Sequence, residues 1–234
     1  MTGKAAVIFG AAGGIGSAIA DQLESDSGFD SVIRFSRSES GPVRVDLTSE
    51  ASIRDAAQWV KDHHIAPSML FVATGLLHDD KRGPEKSLRE LDADWLLQNY
   101  QVNAVGPALI AKYFLPLMDR QEIFRFAALS ARVGSISDNR LGGWYGYRAS
   151  KAALNMMIRN LAIEWSRKND RSIIVALHPG TVDTDLSQPF QGNVPPGKLF
   201  DSSRAARQLL DVIETLQPAQ SGKIFAWDGT EIQP

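Results

Sequence analysis

The sequence contains no cysteine, which excludes a disulfide framework, a thiol nucleophile and a metal site built on thiolates. The absence of cysteine fits a reducing compartment. No run of about 18 consecutive apolar residues occurs, so no segment is expected to cross a membrane as a helix. The first strand pattern begins at residue 5, which leaves no room for a secretory signal peptide. We therefore expect a cytoplasmic protein with no membrane partner.

A marked excess of charge of either sign is also missing. The 25 lysines and arginines are balanced by 27 aspartates and glutamates, for a formal net charge of -2 at pH 7. This balance gives no basic surface for a nucleic-acid partner, and the tryptophans form no stripe on which bases would stack. His78, Asp79 and Asp80 lie in a polar loop without a further residue at metal-ligand spacing, so no metal site is expected.

What the sequence does contain is a regular alternation of strand and helix patterns over its 234 residues. The predicted strands are 5–9, 31–36, 43–45, 69–73, 124–130, 171–177 and 223–226. Helices are predicted at 15–23, 53–60, 92–118 (interrupted near Gly106 and Pro107), 147–167 and 201–216. Because strands that alternate with helices form parallel sheets with right-handed crossovers, we predict a single doubly wound α/β domain of Rossmann type over residues 1–234.

The first predicted strand runs directly into a cluster of glycines, Gly10, Gly13, Gly14 and Gly16. A tight turn out of a strand, a close approach of backbone to a pyrophosphate and close packing of a helix on a sheet each exclude a β-carbon. The free N–H groups at the start of the following helix would bind the phosphates. The spacing Gly10-x-x-x-Gly14-x-Gly16 differs from the G-x-G-x-x-G fingerprint, so a glycine-rich connector stays open as the alternative.

Tyr147 and Lys151 form the candidate catalytic pair. They are four residues apart on a predicted helix and therefore share one face of it. A tyrosine with a pKa of about 10 is a poor acid or base at neutral pH, and a neighbouring ammonium would lower that pKa. A Y-x-x-x-K pair also arises by chance, and Tyr145, which has no lysine four residues later, is the weaker candidate.

Taken in order, several motifs resemble the short-chain dehydrogenase/reductase family in its single-domain form. These are the glycine motif, Asp46-Leu47, Asn103, Tyr147 with Lys151, and Pro179-Gly180 with Thr184. The resemblance spans nearly the whole chain, and the segments GGWYGYRASKAALN and HPGTVDTDL are most similar to the branch of C-factor and Sniffer-like carbonyl reductases.

The resemblance implies an enzyme that transfers a hydride between a nicotinamide cofactor and a small carbonyl or alcohol substrate. Tyr147 would donate a proton to the carbonyl oxygen or accept one from the alcohol. Lys151 would lower the pKa of Tyr147 and hold the nicotinamide ribose, and Asn103 would support a water in the proton relay. Family members are often dimers or tetramers, so a homodimer or homotetramer is expected.

The residues after the second predicted strand indicate which cofactor is used. Sites that prefer NAD place an acidic residue there, on the ribose 2′-hydroxyl, but residues 35–38 contain none. Arg37 and the flanking serines suit the 2′-phosphate of NADP, which a guanidinium can bind through two hydrogen bonds. We therefore expect NADP(H) rather than NAD, with Arg37 as a solvated surface charge as the alternative. The complete set of expected cofactor-binding residues is Gly10, Ala12, Gly14, Ile15, Gly16, Ser36, Arg37, Asp46, Leu47, Ala73, Thr74, Gly75, Tyr147, Lys151, Pro179, Gly180, Val182 and Thr184.

Two departures from the family pattern bear on catalysis. The family's Asn-Asn-Ala-Gly after the fourth strand reads Val72-Ala73-Thr74-Gly75 here, which removes two side-chain amides. The serine that orients the substrate is replaced by Ala131, and loss of one such donor can lower a rate by about 10²–10³. Ser130 completes the set of candidate catalytic residues as its substitute, with Ser135, a backbone group or a water as alternatives.

These departures leave two functions open. The favoured one is an NADP(H)-dependent carbonyl reductase, and the alternative is a dinucleotide-binding sensor or signalling protein with weak or no turnover. A dehydratase or epimerase that uses the same cofactor site is a lesser alternative. Loops around 76–88, 136–144 and 187–200 would form the wall of the substrate pocket, and their mixture of apolar and polar residues indicates a small neutral or apolar carbonyl.

Overall fold

A six-stranded parallel sheet forms the centre of the fold in a computed structural model that describes residues 4–26, 28–38 and 41–234, except the side chain of Asn193. Its strands are β1 Ala5–Phe9, β2 Ser31–Phe35, β3 Pro67–Val72, β4 Arg125–Leu129, β5 Ile173–His178 and β8 Ile224–Ala226. They lie in the order β2-β1-β3-β4-β5-β8, and all neighbours are parallel. A separate parallel pair consists of β6 Thr181–Val182 and β7 Leu199–Phe200. Every residue of β1 is at most 2% exposed, as a strand covered on both faces requires.

The α-helices of the described residues pack on both faces of this sheet. They are α1 Gly14–Ser25, α2 Glu50–Asp62, α3 Ala93–Tyr100, α4 Gly106–Phe114, α5 Tyr145–Ser166 and α6 Ser202–Thr215. Apolar side chains of α2, α4 and α5 form one core with the strands, and those of α1 and α6 form a second core on the opposite face. The predicted doubly wound α/β fold is therefore confirmed. Among the described residues, no helix combines the length and the apolar character needed to span a bilayer.

The strand predicted at residues 43–45 does not form. Among the described residues, a single parallel bridge between Ser36 and Arg44 joins this segment to the end of β2, and the N–H of Val45 donates to the Ser36 carbonyl at 2.8 Å. The chain then turns toward α2, because the N–H of the next residue donates to the Ser52 hydroxyl at 2.9 Å. The Ser52 hydroxyl accepts the backbone N–H that would otherwise continue the strand pairing, so the pairing ends after one bridge.

The long helix predicted at 92–118 is divided into α3 and α4. A π-helical segment, Gln101–Val105, joins the two, and the N–H of Gly106 donates to the carbonyl five residues back. Pro107 follows and has no N–H with which to continue the α-helical pattern. The wider π-helical turn accommodates the absence of an N–H at Pro107. The same turn carries Asn103, which is completely buried. The interruption predicted next to Gly106 and Pro107 is confirmed.

The sheet reverses its strand order between β1 and β3, because the chain passes from β1 outward to β2 and then crosses to the other side of β1. Gly10 follows β1 with a left-handed φ of +80°, and a β-carbon there would lie 2.7 Å from the carbonyl oxygen of Ala73, just after β3. In sheets of this topology ligands bind in the crevice outside the strand ends at such a reversal. The ends of β1 and β3 therefore mark the candidate site.

Candidate active site

A cavity of about 820 Å³ opens at the carboxyl ends of β1, β2 and β3. Nine of the predicted cofactor-binding residues line it, namely Gly10, Ala12, Ser36, Arg37, Asp46, Leu47, Ala73, Thr74 and Gly75. Three residues that the sequence analysis did not single out, Arg44, Gln98 and Val102, line it as well. The backbone turn after β3 is preserved despite the lost amides, since the N–H of Ala73 donates to the carbonyl of Phe9 at 2.8 Å.

The glycine turn presents the start of α1 to this cavity. Gly13, the N-cap of α1, lines the cavity and has no side chain with which to cap the helix. A β-carbon on Gly16 would overlap the carbonyl oxygen of Gly10, and one on Gly14 would lie 2.8 Å from the hydroxyl of Ser202. Glycine is therefore required at both positions for α1 to pack against the turn. The free N–H groups and the positive end of the helix dipole suit a phosphate, which favours a phosphate cradle over a simple connector.

The segment after β5 lies beside the same turn. A β-carbon on Gly14 would lie 2.9 Å from Cγ2 of Thr184, which places that residue against the start of α1. Gly180 adopts a φ of +77°, and a side chain there would meet the ring of Phe200. Val182 is buried and paired with β7. The predicted cofactor residues that do not line the cavity are Gly14, Ile15, Gly16, Tyr147, Lys151, Pro179, Gly180, Val182 and Thr184.

Two guanidinium groups stand at the cavity near the end of β2. Arg37 and Arg44 are both exposed and both line the cavity. Beside them, the carboxylate of Asp46 accepts hydrogen bonds from the N–H and the hydroxyl of Thr48 at 2.9 and 2.8 Å. These hydrogen bonds hold the pKa of Asp46 below its ordinary value, and the charges of the two arginines add to the effect. The alternation of apolar and charged residues at 43–45 could have identified Arg44 as a side chain that points away from the core, because its neighbours Val43 and Val45 pack into the core.

Tyr147 and Lys151 lie in the protein interior, 8% and 2% exposed. The Lys151 Nζ donates to the main-chain carbonyl of Leu129, at the end of β4, at 2.7 Å and lies 5.7 Å from the centre of the Tyr147 ring. It is also 3.8 Å from the position that a β-carbon on Gly75 would occupy, so the Lys151 amine lies next to the wall of the cavity. Burial raises the pKa of Tyr147 to about 12 and lowers the pKa of Lys151 to about 7.

The prediction that Lys151 lowers the pKa of Tyr147 is therefore wrong for the geometry seen in this structure. The four-residue spacing does bring the two side chains together, but the ammonium donates to Leu129 and not to the phenol. Burial disfavours the charged form of each group and is the cause of both shifts in pKa. Tyr147 consequently keeps its proton at neutral pH.

The side chain of Asn103 is fully used in fixing the loop after β3. Its Nδ2 donates to the Leu76 carbonyl at 2.8 Å and to the Ser150 hydroxyl at 3.0 Å, and its Oδ1 accepts the Leu76 N–H at 2.8 Å. The Ser150 hydroxyl in turn donates to the main-chain carbonyl of Tyr147 at 2.8 Å. Asn103 thus connects this loop to the helix that carries Tyr147, and its predicted role in a proton relay stays a prediction.

The hydroxyl groups of both serines near Ala131 are hydrogen-bonded to other groups of the protein. The hydroxyl of Ser130 donates to Oδ1 of Asn155 on α5 at 2.7 Å and is buried. The hydroxyl of Ser135 accepts the N–H of Asp138 at 3.1 Å and caps its own turn. In this structure Ser130 therefore links β4 to α5 through a residue 25 positions away, and its candidate catalytic role stays a prediction.

Two residues that the sequence analysis missed lie at the start of α5. Trp144, the N-cap of α5, has a left-handed φ of +51°, and its ring centre lies 6.3 Å from that of Tyr147. Glu85 is 2% exposed although it belongs to a stretch predicted as a polar loop. Gly142 and Gly143 directly precede Trp144 and are a sequence signal for an unusual turn. No feature of the sequence around Glu85 indicates that it is buried.

The histidines show no sign of acid–base chemistry. Burial lowers the pKa of His178, at the end of β5, to about 4, with the charge of Arg132 adding to the effect. His78 is hydrogen-bonded through Nε2 to the carbonyl of Asp185 at 3.2 Å. In the part of the chain that the structure describes, no group of three or more histidine and carboxylate side chains could hold a metal ion.

Comparison with known proteins matches residues 4–194 to the family model for short chain dehydrogenase. The 1-hydroxy-2-glutathionyl-2-methyl-3-butene dehydrogenase of Rhodococcus sp. (strain AD45) is 32% identical over 81% of this chain and 78% of that protein. The C-signal protein of Myxococcus xanthus is 34% identical over 62% of this chain and 82% of its own length. The predicted resemblance to this family is confirmed.

Solved structures show the same fold. The NADPH-bound carbonyl reductase from chicken fatty liver superimposes with a TM-score of 0.85 at 24% identity, covering 98% of each chain. The carbonyl reductase Sniffer of D. melanogaster gives a TM-score of 0.84 at 22% identity, covering 100% of each chain. At these identities the likeness establishes the architecture.

The burial of Lys151 makes stability depend on pH. The unfolded chain holds the lysine proton up to the ordinary pKa of 10.5, while the folded protein releases it near pH 7, so the free energy of unfolding should rise with pH across this window. Lys151→Met should be more stable than the parent at about pH 6, and the difference should shrink toward about pH 9. The raised pKa of Tyr147 takes effect only above about pH 10, outside this range.

The measurement is urea unfolding of both proteins at several pH values. Lys61→Met, at an exposed position on α2, is the control and should show no pH-dependent difference from the parent. A stability gap between the Lys151 variant and the parent that stays constant from about pH 6 to about pH 9 would contradict the assignment of Lys151 as a buried amine.

Proposed function

This chain belongs to the short chain dehydrogenase family, and from that premise we propose that it is an NADP(H)-dependent oxidoreductase acting on a small carbonyl or alcohol. The observation that carries the proposal is the position of the buried Lys151 beside the wall of a cavity of about 820 Å³, with the ring centre of the buried Tyr147 5.7 Å from its Nζ. Reduction of a carbonyl would leave an oxygen that needs a proton, and Tyr147 is the candidate to supply it.

The residues present fit a dinucleotide. The first turn of α1 offers N–H groups without a side-chain cap, where a pyrophosphate would bind. The hydroxyl of Thr74 is buried in the cavity wall without a hydrogen-bond partner among the described residues, as expected of a group that meets a ligand. Asp46 and Leu47 would hold the adenine, Lys151 the nicotinamide ribose, and the segment 179–184 the nicotinamide end. When bound, the cofactor supplies or accepts the hydride.

Tyr147 would act as the proton donor in the reductive direction. Its hydroxyl is protonated at neutral pH because burial raises its pKa to about 12. Lys151 lies within 5.7 Å of the ring, and its pKa of about 7, lowered by burial, allows it to carry or release a proton in the physiological range. The dry surroundings strengthen any hydrogen bond that forms to the substrate oxygen.

The choice of NADP over NAD rests on Arg37 and Arg44. Both guanidinium groups line the cavity at the end of β2, where the ribose of a bound dinucleotide is expected. Two arginines can bind a 2′-phosphate through several charge-assisted hydrogen bonds, whereas a free 2′-hydroxyl offers them little. Related folds with NADPH bound, such as the chicken fatty liver carbonyl reductase, support the same choice.

Aromatic rings near Tyr147 support an apolar carbonyl as the substrate. The ring of Trp144 lies 5.2 Å from that of Phe190, and the ring of Phe190 lies 5.7 Å from that of His78. These side chains come from the three loops expected to form the pocket wall. A pocket wall formed mainly by such rings favours an uncharged ligand.

The alternative is a dinucleotide-binding sensor with weak or no turnover. Its specific support is Ala131, which lacks the substrate-orienting hydroxyl, together with the commitment of Ser130 and Ser135 to other partners. The name C-signal of the Myxococcus xanthus relative is compatible with such a role. The two functions differ in whether carbonyl reduction takes place at a useful rate.

We also propose a homodimer or homotetramer. One face of α5 turns away from the sheet, because Ala149 is exposed and Met156 is 61% exposed. A helix face with a small residue and a flexible apolar one permits a second helix to approach closely. Sedimentation equilibrium would measure the mass of the assembly.

Replacement of the phenol tests the proposed reaction directly. Tyr147→Phe should abolish oxidation of NADPH by aldehydes and ketones, because the proton donor is lost, while binding of NADPH stays within about threefold. Tyr145→Phe, two residues earlier and 39% exposed, is the matched control and should keep its activity. Stopped-flow absorbance and fluorescence titration measure the two quantities, and turnover that survives in the Tyr147 variant would refute the role of this residue.

Cofactor preference can be tested at the two arginines. Arg37→Ala and Arg44→Ala should each weaken NADPH binding by roughly 10- to 100-fold, the range of a lost charge-assisted hydrogen bond, and leave NADH binding almost unchanged. Arg54→Ala, an exposed arginine on α2, serves as the control. Equal losses for NADPH and NADH would show that these arginines do not read the 2′-phosphate.

Restoring the missing hydroxyl separates the enzyme from the sensor. Ala131→Ser should raise kcat for carbonyl reduction about tenfold or more, because one added donor to the substrate oxygen can be worth about 10²–10³. Ala131→Gly provides the control for a change in size without a hydroxyl. A parent protein and a serine variant that are both inactive, yet bind NADPH, would favour the sensor.

A further inference from the structure

Glu85 stands out because it is a buried carboxylate outside the machinery described so far. Among the charged side chains of the described residues, only Glu85 and Lys151 are buried, each 2% exposed. A carboxylate is costly to bury unless its oxygens are hydrogen-bonded. Its contacts therefore indicate what the position is used for.

One side-chain oxygen of Glu85 and its main-chain carbonyl bind the start of α5, while the other side-chain oxygen, Oε1, is buried without a hydrogen-bond partner among the described residues. Its Oε2 accepts the N–H of Gly146 at 3.0 Å, and its main-chain carbonyl accepts the N–H of Trp144 at 2.5 Å. The first N–H groups of a helix have no partners within the helix, and a negative charge near them is favourable. A single residue from the loop after β3 thus caps a helix that begins 60 positions later in the sequence.

The fit between Glu85 and this first turn is tight. A β-carbon on Gly146 would lie 2.9 Å from Oε1 of Glu85 and 3.3 Å from the side chain of Leu96. Trp144 keeps a left-handed backbone, with φ +51° and ψ +43°, which is unfavourable for a bulky residue unless neighbouring contacts hold it. The hydrogen bond from its N–H to Glu85 is such a contact.

These contacts lie directly next to the candidate proton donor. Gly146 immediately precedes Tyr147, and Trp144 is three residues before it, so the first turn of α5 sets the direction of the phenol. The same loop is held at its beginning by Asn103, through two hydrogen bonds to the backbone of Leu76. The loop expected to line the substrate pocket is therefore attached at both ends to the elements around Tyr147.

We propose that Glu85 is a positioning residue for Tyr147, which acts by fixing the first turn of α5 and the left-handed backbone of Trp144. This inference rests on the proposed reductase function, because its catalytic readout needs turnover. Glu85 is not among the residues that line the cavity, and its effect passes through the backbone of Gly146.

The test compares Glu85→Ala and Glu85→Gln with matched changes at Glu90. Glu90 is an exposed carboxylate on the same loop whose Oε2 accepts the N–H of Lys86 at 2.8 Å. Glu85→Ala should lower kcat for carbonyl reduction about 10- to 100-fold, because a shift of about 1 Å in a reacting group has a cost of this size. KM and the Kd for NADPH should change by less than about threefold, since the cofactor contacts are untouched.

The conservative variant provides the rescue. Glu85→Gln keeps an oxygen that can accept the N–H of Gly146, so it should recover kcat to within about fivefold of the parent. The Glu90 variants should resemble the parent. A kcat for Glu85→Ala within about twofold of the parent, or equal losses in the alanine and glutamine variants, would overturn the proposal.

A second measurement does not depend on turnover. Hydrogen exchange of a peptide covering residues 144–148 should be faster in Glu85→Ala than in the parent or in Glu90→Ala, because the amide of Gly146 loses its acceptor and the turn that holds Trp144 loosens. An inactive parent with this exchange pattern would refute the reductase function alone, whereas an active parent with unchanged exchange would refute the role of Glu85. If Glu85→Ala does not fold, Gly146→Ala replaces it, and a full kcat in that variant would also contradict the proposal.

Discussion

The close approach of the Gly10 turn to the end of β3 is the constraint on which the rest of the site depends. The left-handed backbone and missing β-carbon of Gly10 allow the exit of β1 to lie against the carbonyl of Ala73, and Gly16 needs the same absence to pack on the turn. A side chain at either position would push α1 away from the sheet, together with the N–H groups that face the cavity. The strand order reverses between β1 and β3. The absence of a β-carbon at Gly10 and Gly16 therefore determines both how α1 packs on the sheet and where the cavity opens.

The buried pair is positioned by two different parts of the fold. Lys151 is tethered to the end of β4 through the carbonyl of Leu129, while Tyr147 sits in the first turn of α5. Burial moves the two pKa values in opposite directions, to about 12 for the phenol and about 7 for the amine, so the neutral form of each is favoured. At neutral pH the proton therefore resides on the phenol, and the amine is close to its own midpoint. This arrangement is suited to giving a proton to an oxygen that becomes negative.

The features that could be predicted from sequence are those in which neighbouring residues decide the outcome. The buried strand, glycine turn and helix at the start of the chain are local, and the four-residue spacing of Tyr147 and Lys151 follows from the helix repeat. The strand expected at 43–45 does not form, because the Ser52 hydroxyl on α2 accepts the backbone N–H of the residue that follows this segment. The hydrogen bond from Ser130 to Asn155 could not be predicted, because its partner lies on a helix distant in sequence. The expected lowering of the Tyr147 pKa was wrong, because the four-residue spacing predicts that the two side chains are close together but not that they are buried. Glu85 was missed for the same reason, since its acceptor role exists only once the chain has folded.

The loop after β3 is attached to the rest of the fold at two points. Asn103 holds the beginning of this loop at Leu76, and Glu85 holds its later part at the start of α5. Residues 77–84 lie between these two attachment points. A change at an attachment point acts on α5 and therefore on the direction of Tyr147. Loops of this kind, held on a rigid scaffold, are where proteins of one fold differ in function.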